Sequence, residues 1–321
     1  MLAPLGALLF VAVLFPSTVI AASTMRSPEE PFKFAELFPL REQIKDMRPL
    51  EPYMARDGTE LSFRRYPAAT STHLILLHGS SAHGAYLHSF AQYLSARNAA
   101  NVYAPDIRGH GPAPKRRGDI DYIGQLEDDV ADLIMHIRKG APASARFVLG
   151  GHSSGGGLAV RFGGSEHGHM AHAILLLAPY LGHDAPMVKR NAGGWAQADI
   201  PRIVGLSILN GFGITRFNGA RVLRFNLPEK YHSGYETLTY SFRLMKGMHP
   251  DNYKIALRNY KGRVLLLVGS QDEAFHADAF KSGILPYKPD ANIGFVKDGS
   301  HLGIIMSESA MAEATQWLTK P

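Results

Sequence analysis

Short apolar runs alternate with amphipathic stretches along most of this 321-residue chain. Apolar runs bounded by turn residues are typical of buried strands, and they fall at His73–Leu77, Asn101–Ala104, Phe147–Leu149, Ala173–Leu177, Val264–Val268 and Asn292–Val296. Apolar residues recur at helical spacing in four further stretches, Tyr86–Arg97, Ile120–Lys139, Ala274–Lys281 and Glu308–Leu318. Strands that alternate with helices predict an α/β fold, in which a mostly parallel central sheet carries helices on both faces.

Two segments depart from this alternation. Near the start, Pro52–Ala55 and Thr59–Tyr66 flank Asp57-Gly58, a dipeptide that favours a tight hairpin turn. Later, residues 181–260 are rich in glycine, asparagine and aromatic residues and contain no strong strand pattern. We interpret this later segment as a cap inserted over the carboxyl-terminal edge of the sheet. The remaining sequence, residues 51–180 and 261–321, is then one core domain.

The first 22 residues carry no charged side chain and lead into small residues at Ala21–Ser23. Such a stretch is typical of a secretory signal peptide, although no lysine or arginine precedes the apolar run. The run is also nearly long enough to cross a bilayer, so an uncleaved anchor is the alternative. We expect an exported protein, periplasmic or secreted, in which residues 23–50 form a linker or a surface arm.

Composition and charge narrow the function further. The chain has no cysteine, which excludes disulfides, cysteine-ligated metals and a cysteine nucleophile. Its net charge is +6, and residues 181–260 account for that excess with eleven basic and five acidic side chains. No lysine and arginine block or nucleic-acid motif accompanies the charge, so we expect no nucleic-acid partner. A basic cap over the site would instead suit an anionic membrane surface or an acidic ester.

The strongest motif is GHSSG at residues 151–155, directly after the strand Phe147–Leu149. It matches G-x-S-x-G, the nucleophile elbow, in which a strained turn from strand to helix lifts the serine hydroxyl clear of the sheet. Glycine suits both ends because a side chain there would crowd the turn. We predict Ser153 as the nucleophile. A glycine-rich turn without catalytic function is the alternative, and the strand and apolar helix around the motif argue against it.

A serine hydroxyl is a poor nucleophile at neutral pH, so it requires a base, an orienting acid and an oxyanion hole. The oxyanion loop is predicted just after the strand His73–Leu77, where His78-Gly79 allows Ser80 to aim its backbone amide into the site. The second predicted donor is the amide of Ser154, the residue after the nucleophile. Each such donor contributes about 3–4 kcal/mol to the transition state.

The acid and the base are predicted after two late strands. Asp272 follows Val268 by four residues, and a turn or helix N-cap is its alternative role. Its neighbour Glu273 is expected to be solvated. His301 is the last histidine of the chain and is predicted as the base, whereas His276 is assigned to the surface of a helix. Nucleophile, acid and base then follow in the chain order that G-x-S-x-G hydrolases use.

Other polar residues are interpreted as structural. Histidines recur at five-residue intervals, at His78, His83 and His88. That spacing puts them on different faces of a helix, and no carboxylate cluster accompanies them, so we predict no metal site. In DIRGHG, residues 106–111, Asp106 and Arg108 are expected to fix the backbone of their own loop. His110 precedes the nucleophile, which is the wrong order for the base.

Together these motifs resemble the α/β-hydrolase family, and most closely its monoglyceride lipase and lysophospholipase-like branch, which is related to the serine aminopeptidases. The matching stretches are HGSSAHG at residues 78–84, DIRGHG at 106–111, GHSSG at 151–155, GSQDEAF at 269–275 and GSHLG at 299–303. The likeness extends from about Pro52 to Leu318. It implies Ser153 as nucleophile, Asp272 as acid and His301 as base, with a cap between the sixth and seventh core strands. No motif in the cap matches a lipase.

We therefore expect a serine hydrolase that cleaves carboxylic esters, such as monoacylglycerols or lysophospholipids, through an acyl-enzyme. No metal ion or organic cofactor is expected. Peptidases, thioesterases and cofactor-free haloperoxidases use the same framework and stay open as alternatives, as does a binding protein with a decayed site. Dehalogenases and most epoxide hydrolases have aspartate as the nucleophile, so Ser153 argues against those classes.

Overall fold

The computed structural model describes residues 32–37, 47–190 and 194–320. The leader predicted at residues 1–22 and most of the predicted arm, residues 23–50, lie outside the described residues. Within the described ranges, no helix is both long enough and apolar enough to span a membrane.

The described residues contain eleven strands in two sheets. In chain order the strands are β1 Leu50–Met54, β2 Glu60–Tyr66, β3 Thr72–Leu77, β4 Asn101–Pro105, β5 Arg146–His152, β6 Ala173–Leu177, β7 Ala196–Ala198, β8 Arg221–Phe225, β9 Thr239–Ser241, β10 Arg263–Gly269 and β11 Asn292–Val296. The central sheet has the order β1-β2-β4-β3-β5-β6-β10-β11. Only β2 pairs antiparallel, with β1 and β4, and the remaining pairs are parallel. The predicted mostly parallel sheet is confirmed.

Helices cover both faces of this sheet, as the alternating pattern predicted. In chain order the helices of the described residues are α1 His88–Ala96, α2 Gln125–Arg138, α3 Ser154–Gly164, α4 Ile200–Gly211, α5 Phe242–Gly247, α6 Tyr253–Asn259, α7 Ala279–Ile284 and α8 Glu308–Thr319, and of these α4 and α5 lie in the segment predicted as the cap. Successive strand residues face opposite sides, so Leu74 and Leu76 of β3 join the core under α1 and α8. Ile75 and Leu77 join the core under α2, α3 and α6. Burial on both faces explains why these strands are continuous apolar runs.

Helix α2 begins later than the pattern at Ile120–Lys139 predicted. Gly124, just before the helix, has a φ of +114°, a left-handed conformation that favours glycine. The residues from Ile120 to this glycine therefore lie outside the helix, in irregular backbone that ends in a turn, and Ile120 is nevertheless fully buried. The apolar pattern identified the buried residues correctly, but the glycine determines where the helix starts.

The segment predicted as a cap contains short strands that its sequence pattern did not reveal, because β7, β8 and β9 form a small antiparallel sheet. They are only three to five residues long and pair with each other. Helix α6, just before the predicted boundary at residue 260, packs on core helix α3, since a Cβ at Gly164 would lie 2.6 Å from Ala256.

Candidate active site

Ser153 lies at the sharp turn between β5 and α3, with φ +52° and ψ −120°. A positive φ is unusual for a residue other than glycine and marks local strain. A Cβ at Gly151 would lie 2.3 Å from the backbone of Gly155, and a Cβ at Gly155 would lie 2.4 Å from the carbonyl oxygens of Leu77 and His78. Both glycines are therefore required by the close approach of neighbouring backbone.

Three side chains predicted from distant parts of the chain meet at this turn. The Nε2 atom of His301 lies 3.1 Å from the Ser153 hydroxyl, and Nδ1 lies 2.9 Å from Oδ2 of Asp272. Asp272 and His301 are both buried, and the serine hydroxyl faces a cavity. The arrangement gives the serine an adjacent base whose other nitrogen is held by a carboxylate, which is the geometry of a Ser-His-Asp triad.

The second carboxylate oxygen of Asp272 shapes its own loop. Oδ1 accepts hydrogen bonds from the amides of Ala274 and Phe275, at 2.8 and 2.9 Å. Burial raises the pKa of Asp272, but His301 and these donors outweigh burial, so its pKa lies below the usual value. The carboxylate is therefore charged at neutral pH. The tight turn also delays the helix predicted at Ala274–Lys281, since α7 begins only at Ala279.

The structure corrects the expected exposure of Glu273 and the expected helical position of His276, which follow Asp272 in the chain. Glu273 was expected to be solvated, but its Oε2 accepts the backbone amide of His301 at 2.7 Å, so it holds the loop of the base in place. His276 was assigned to a helix, but it precedes α7 and its amide donates to the carbonyl of Met187. The side chain of His276 is exposed, as expected.

The predicted oxyanion residues lie side by side next to the nucleophile. The hydroxyl of Ser80 donates to the hydroxyl of Ser154 at 2.9 Å. A Cβ at Gly79 would lie 3.3 Å from Cβ of Ser153, so the loop passes directly over the nucleophile. Ser154 is the first residue of α3, and the first amides of a helix have no acceptor within the helix. An oxyanion beside Ser153 would meet these amides and the positive end of the α3 dipole.

A chain of hydrogen bonds that the sequence did not reveal joins the oxyanion loop to the base. The Tyr86 hydroxyl accepts the amide of Gly79 at 3.2 Å and contacts Nδ1 of His152. Nε2 of His152 then donates to the carbonyl of His301 at 2.8 Å. Burial lowers the pKa of His152 to about 3, with His301 adding to the effect. His152 is therefore neutral and able to accept from Tyr86 while it donates to His301.

In the DIRGHG loop, Asp106 and Arg108 bind residues outside the loop, whereas they were predicted to hydrogen-bond the backbone of the loop itself. Oδ1 of Asp106 accepts the amide of Gly84 at 2.7 Å. Arg108 binds Asp129 on α2 and Asp57 in the β1–β2 turn, at 2.7 and 2.8 Å.

Buried histidines near this loop have structural partners. His110 contacts the Tyr240 hydroxyl at 2.6 Å, and Nε2 of His78 accepts the amide of Ile107 at 3.0 Å. His88 contacts the Tyr66 hydroxyl at 3.1 Å. In the described ranges, no group of three or more potential ligands is placed to hold a metal ion.

Ser153 lines a cavity of about 120 Å³. The polar part of its lining comprises residues 79–83, Ser153, His301 and Glu236. The apolar part comprises the residues Phe32, Phe34, Trp195, Leu227, Tyr231 and Leu302. The cap contributes three of these apolar residues, so the cap and the core enclose the reaction centre together.

The fold and the strand order define the class: the chain has the α/β-hydrolase fold. A model of the serine aminopeptidase S33 family matches residues 68–220. The chain is 31% identical over 111 residues to a monoacylglycerol lipase of Mycolicibacterium smegmatis. That match covers 35% of this chain and 39% of the relative, so the chain spans only about two fifths of that protein's length.

Solved structures extend the likeness to most of the chain. A monoacylglycerol lipase of Paleococcus ferrophilus superposes with a TM-score of 0.58 and 18% identity, over 81% of this chain and 98% of its own. A soluble variant of monoglyceride lipase from Saccharomyces cerevisiae, in complex with a substrate analog, superposes with a TM-score of 0.61 and 17% identity, over 85% and 95%. At this identity the structures show the fold alone. Together with the sequence matches, they support the monoglyceride lipase-like branch that the motifs indicated.

Proposed function

We propose that this protein is a serine hydrolase that cleaves carboxylic esters through an acyl-enzyme. The observation that carries the proposal is the contact of Ser153 with His301 and of His301 with Asp272, at 3.1 and 2.9 Å, inside a cavity. A binding protein would have no need for a strained serine beside a buried base and a buried acid. The similarity to monoacylglycerol lipases supports the same chemistry.

In the proposed reaction, Ser153 Oγ attacks the acyl carbon while its proton passes to Nε2 of His301. Asp272 holds the tautomer and stabilises the imidazolium that forms. The amides of Ser80 and Ser154 stabilise the oxyanion. The imidazolium then protonates the departing alcohol. Water next attacks the acyl-enzyme with His301 again as the base, which releases the acid and restores the serine.

We infer monoacylglycerols, lysophospholipids or similar esters as the substrate class. The lining of the cavity combines apolar and aromatic residues, which suit an acyl chain, with hydroxyl groups next to Ser153. This mixed lining suits an amphiphilic ester.

An aminopeptidase is the second candidate, because the matching family model is that of the serine aminopeptidases and a carboxylate in the cavity could bind an α-amino group. The bonding of Glu236 argues against this role. Its Oε1 already accepts the amide and hydroxyl of Ser233, and its Oε2 accepts the amide of Gly234. We therefore rank ester hydrolysis above peptide hydrolysis.

A substrate panel tests the proposal. Purified protein should hydrolyse p-nitrophenyl butyrate and a monoacylglycerol, and it should hydrolyse aminoacyl p-nitroanilides and thioesters more slowly. Ser153→Ala should reduce ester turnover by several orders of magnitude, whereas Ser154→Ala, which keeps the backbone amide, should reduce it far less. Faster hydrolysis of the anilides than of the esters would favour the aminopeptidase, and a greater loss in Ser154→Ala would contradict the assigned nucleophile.

We also propose that the cap contacts a lipid surface, and the structure changes the reason for expecting this. Most of the eleven basic cap residues have partners inside the protein. Five form hydrogen bonds or ion pairs, namely Lys189, Arg202, Arg221, Arg243 and Lys246, and four lie over aromatic rings, namely Arg216, Lys230, Lys254 and Arg258. Helix α4 and its C-cap residue Phe212, however, expose apolar side chains at four-residue intervals, at Ile200, Val204, Ile208 and Phe212. Residues four apart share one helix face. Phe212 is 78% exposed, and Arg216 follows it on the surface.

The lipid-surface proposal predicts a difference between two substrates. Phe212→Ala should weaken hydrolysis of monoacylglycerol presented in anionic phospholipid vesicles and leave hydrolysis of soluble p-nitrophenyl butyrate unchanged. Raising the salt concentration should also weaken vesicle hydrolysis, because surface attraction is screened within about 8 Å at physiological ionic strength. Equal effects on the two substrates would show that the exposed apolar residues of α4 and Phe212 do not contact the lipid surface during hydrolysis.

Export is proposed on the uncharged, apolar sequence of residues 1–22. Amino-terminal sequencing of protein from the native host should find a start near residues 22–24. A start at Met1 together with membrane association would favour the anchor instead.

A further inference from the structure

The short segment Phe32–Leu37, here called the arm, lies against the active site although it precedes the whole hydrolase core. Phe32 and Phe34 are 4% and 2% exposed. The Phe32 ring stacks on the His301 ring, with centroids 4.9 Å apart and planes at 25°. Both phenylalanines also contact Trp195, with centroids 5.3 and 5.5 Å from it. The arm is therefore packed between the loop of the base and the cap.

Polar contacts fix the arm to the same loop. The amide of Lys33 donates to Oε1 of Glu273 at 3.3 Å, and Oε2 of that carboxylate accepts the amide of His301. The hydroxyl of Ser300, next to the base, hydrogen-bonds to the carboxylate of Glu36. The Glu273 carboxylate thus binds both the arm and the backbone of His301, and the Glu36 carboxylate binds Ser300 next to it. Through these contacts the arm forms part of the wall of the site.

The arm limits the space beside the nucleophile. Phe32 and Phe34 supply a continuous aromatic wall with Trp195 and Tyr231 of the cap, since Phe34 lies 5.3 Å from the Tyr231 ring. The cavity is about 120 Å³ and partly open, and this volume lies well below the roughly 300–1,000 Å³ of sites that hold larger ligands. A short acyl chain fits such a cavity, whereas a long chain meets the two phenylalanine rings.

We propose that Phe32 and Phe34 are specificity-determining residues that set an upper limit on acyl-chain length. The inference rests on the proposed ester hydrolysis and specifies which acyl-chain lengths the site accepts. The family model begins at residue 68, so the arm lies outside the part of the chain that it matches. Signal cleavage near residues 22–24 would leave the arm on the mature protein. Removing the two rings should open the cavity outward without disturbing the contacts among Ser153, His301 and Asp272.

The test compares chain-length selectivity in the mature enzyme and in a Phe32→Ala/Phe34→Ala variant. For p-nitrophenyl esters from butyrate to laurate, kcat/KM of the unchanged enzyme should fall with length. The variant should raise the ratio of laurate to butyrate kcat/KM by about tenfold or more, since a single methylene in an apolar pocket changes discrimination by at least that factor. Phe295→Ala, which removes a phenylalanine exposed on β11, is the matched control and should leave the ratio unchanged.

Labelling separates this proposal from the proposed function. Rates of Ser153 labelling by ethyl and dodecyl fluorophosphonates should show the same shift in ratio between the two enzymes. An unchanged ratio, with labelling still present and circular dichroism unchanged, overturns the arm proposal alone. Absence of labelling with either probe contradicts the proposed function and the arm proposal with it. If the alanine variant does not fold, Phe32→Leu/Phe34→Leu keeps the buried apolar side chains, and an unchanged ratio there overturns the proposal equally.

Discussion

At the residue scale, the position of the proposed catalytic groups depends on side chains outside the proposed triad. The Tyr86 hydroxyl accepts a hydrogen bond from the amide of Gly79 and contacts His152. His152 in turn donates a hydrogen bond to the carbonyl of His301. Glu273 holds the amide of the same histidine. The backbone of the proposed base is therefore held at both its amide and its carbonyl, and one of these contacts continues to the oxyanion loop.

Tyr86→Phe tests this positioning role. The variant keeps the ring but removes the hydroxyl, which leaves a buried amide and a buried imidazole nitrogen without their partner. A lost buried hydrogen bond costs about 1–3 kcal/mol, so kcat should fall about ten- to a hundredfold while KM changes little. Tyr93→Phe on α1, whose ring packs under Arg97, is the control. Equal kinetics in the two variants would show that Tyr86 does not position the site.

Asp272→Asn and Glu273→Gln distinguish the two adjacent carboxylates. Asparagine at position 272 would favour the wrong tautomer of His301, and kcat should fall by about 10⁴. Glutamine at position 273 can still accept the amide of His301, so its effect should be much smaller. Steady-state ester hydrolysis measures both. An unaffected Asp272→Asn enzyme would move the orienting acid elsewhere, and a larger loss in Glu273→Gln would assign it to that residue.

Sequence reasoning found the candidate reacting groups but missed their supports. Ser153, Asp272 and His301 each follow a strand in a motif with a known chain order, so a local pattern marks them. No sequence motif identifies Phe32, Tyr86 or Glu273, because each acts through a contact with a residue far away in the chain. Only the folded backbone brings those partners together. Hydrogen-bonding residues of this kind cannot be distinguished from ordinary surface residues in one sequence.

At the element scale, the sheet was predictable and the cap was not. Core strands such as β3 are buried at every position, so they are continuous apolar runs that any sequence pattern detects. The strand β8 has only five residues, of which Val222 and Phe225 are buried, and it is stabilised by pairing with β7 and β9. Short strands of that kind resemble loops in the sequence, because their pairing partners lie elsewhere in the chain.

The crowded turn between β5 and α3 predicts that a side chain at Gly155 destabilises the protein. In Gly155→Ala the new Cβ would lie 2.4 Å from two backbone oxygens, so helix α3 must move away from β3. Overpacking typically costs about 1–3 kcal/mol, and displacement of the helix should also reduce turnover. Gly211→Ala at the end of α4 meets nothing within 4 Å and is the control. Urea unfolding monitored by circular dichroism compares them, and equal stability of the two variants would contradict the crowded turn.

At the scale of the whole molecule, buried histidines determine the response to acid. Burial lowers the pKa of His78, His110 and His152 to about 3 and that of His249 to about 4. Unfolded histidine titrates near 6.5. Between pH 6.5 and about 3–4 the unfolded chain therefore binds more protons than the folded one, so stability falls as pH falls through that window. Burial raises the pKa of Asp129 to about 6 and also raises that of Glu127, which opposes the trend. Burial lowers the pKa of His73 and His83 as well, which adds to it.

Calorimetry tests the expected acid sensitivity. Each of these histidines lowers the free energy of unfolding by up to about 1.4 kcal/mol per pH unit within the window. The Tm should therefore be nearly constant above pH 7 and should decrease steeply from pH 6 to pH 4.5. A Tm that stays constant over that lower range would contradict the neutral, buried state of these side chains.

The most direct test of the central claim is to identify the residue that a fluorophosphonate labels. Only a serine activated by a base reacts with such a probe at a useful rate. Peptide mapping by mass spectrometry of the labelled protein should place the adduct on Ser153, and both Ser153→Ala and His301→Ala should abolish labelling while their circular dichroism spectra stay unchanged. An adduct on Ser154 or on a serine outside the elbow, or undiminished labelling of His301→Ala, would contradict the account.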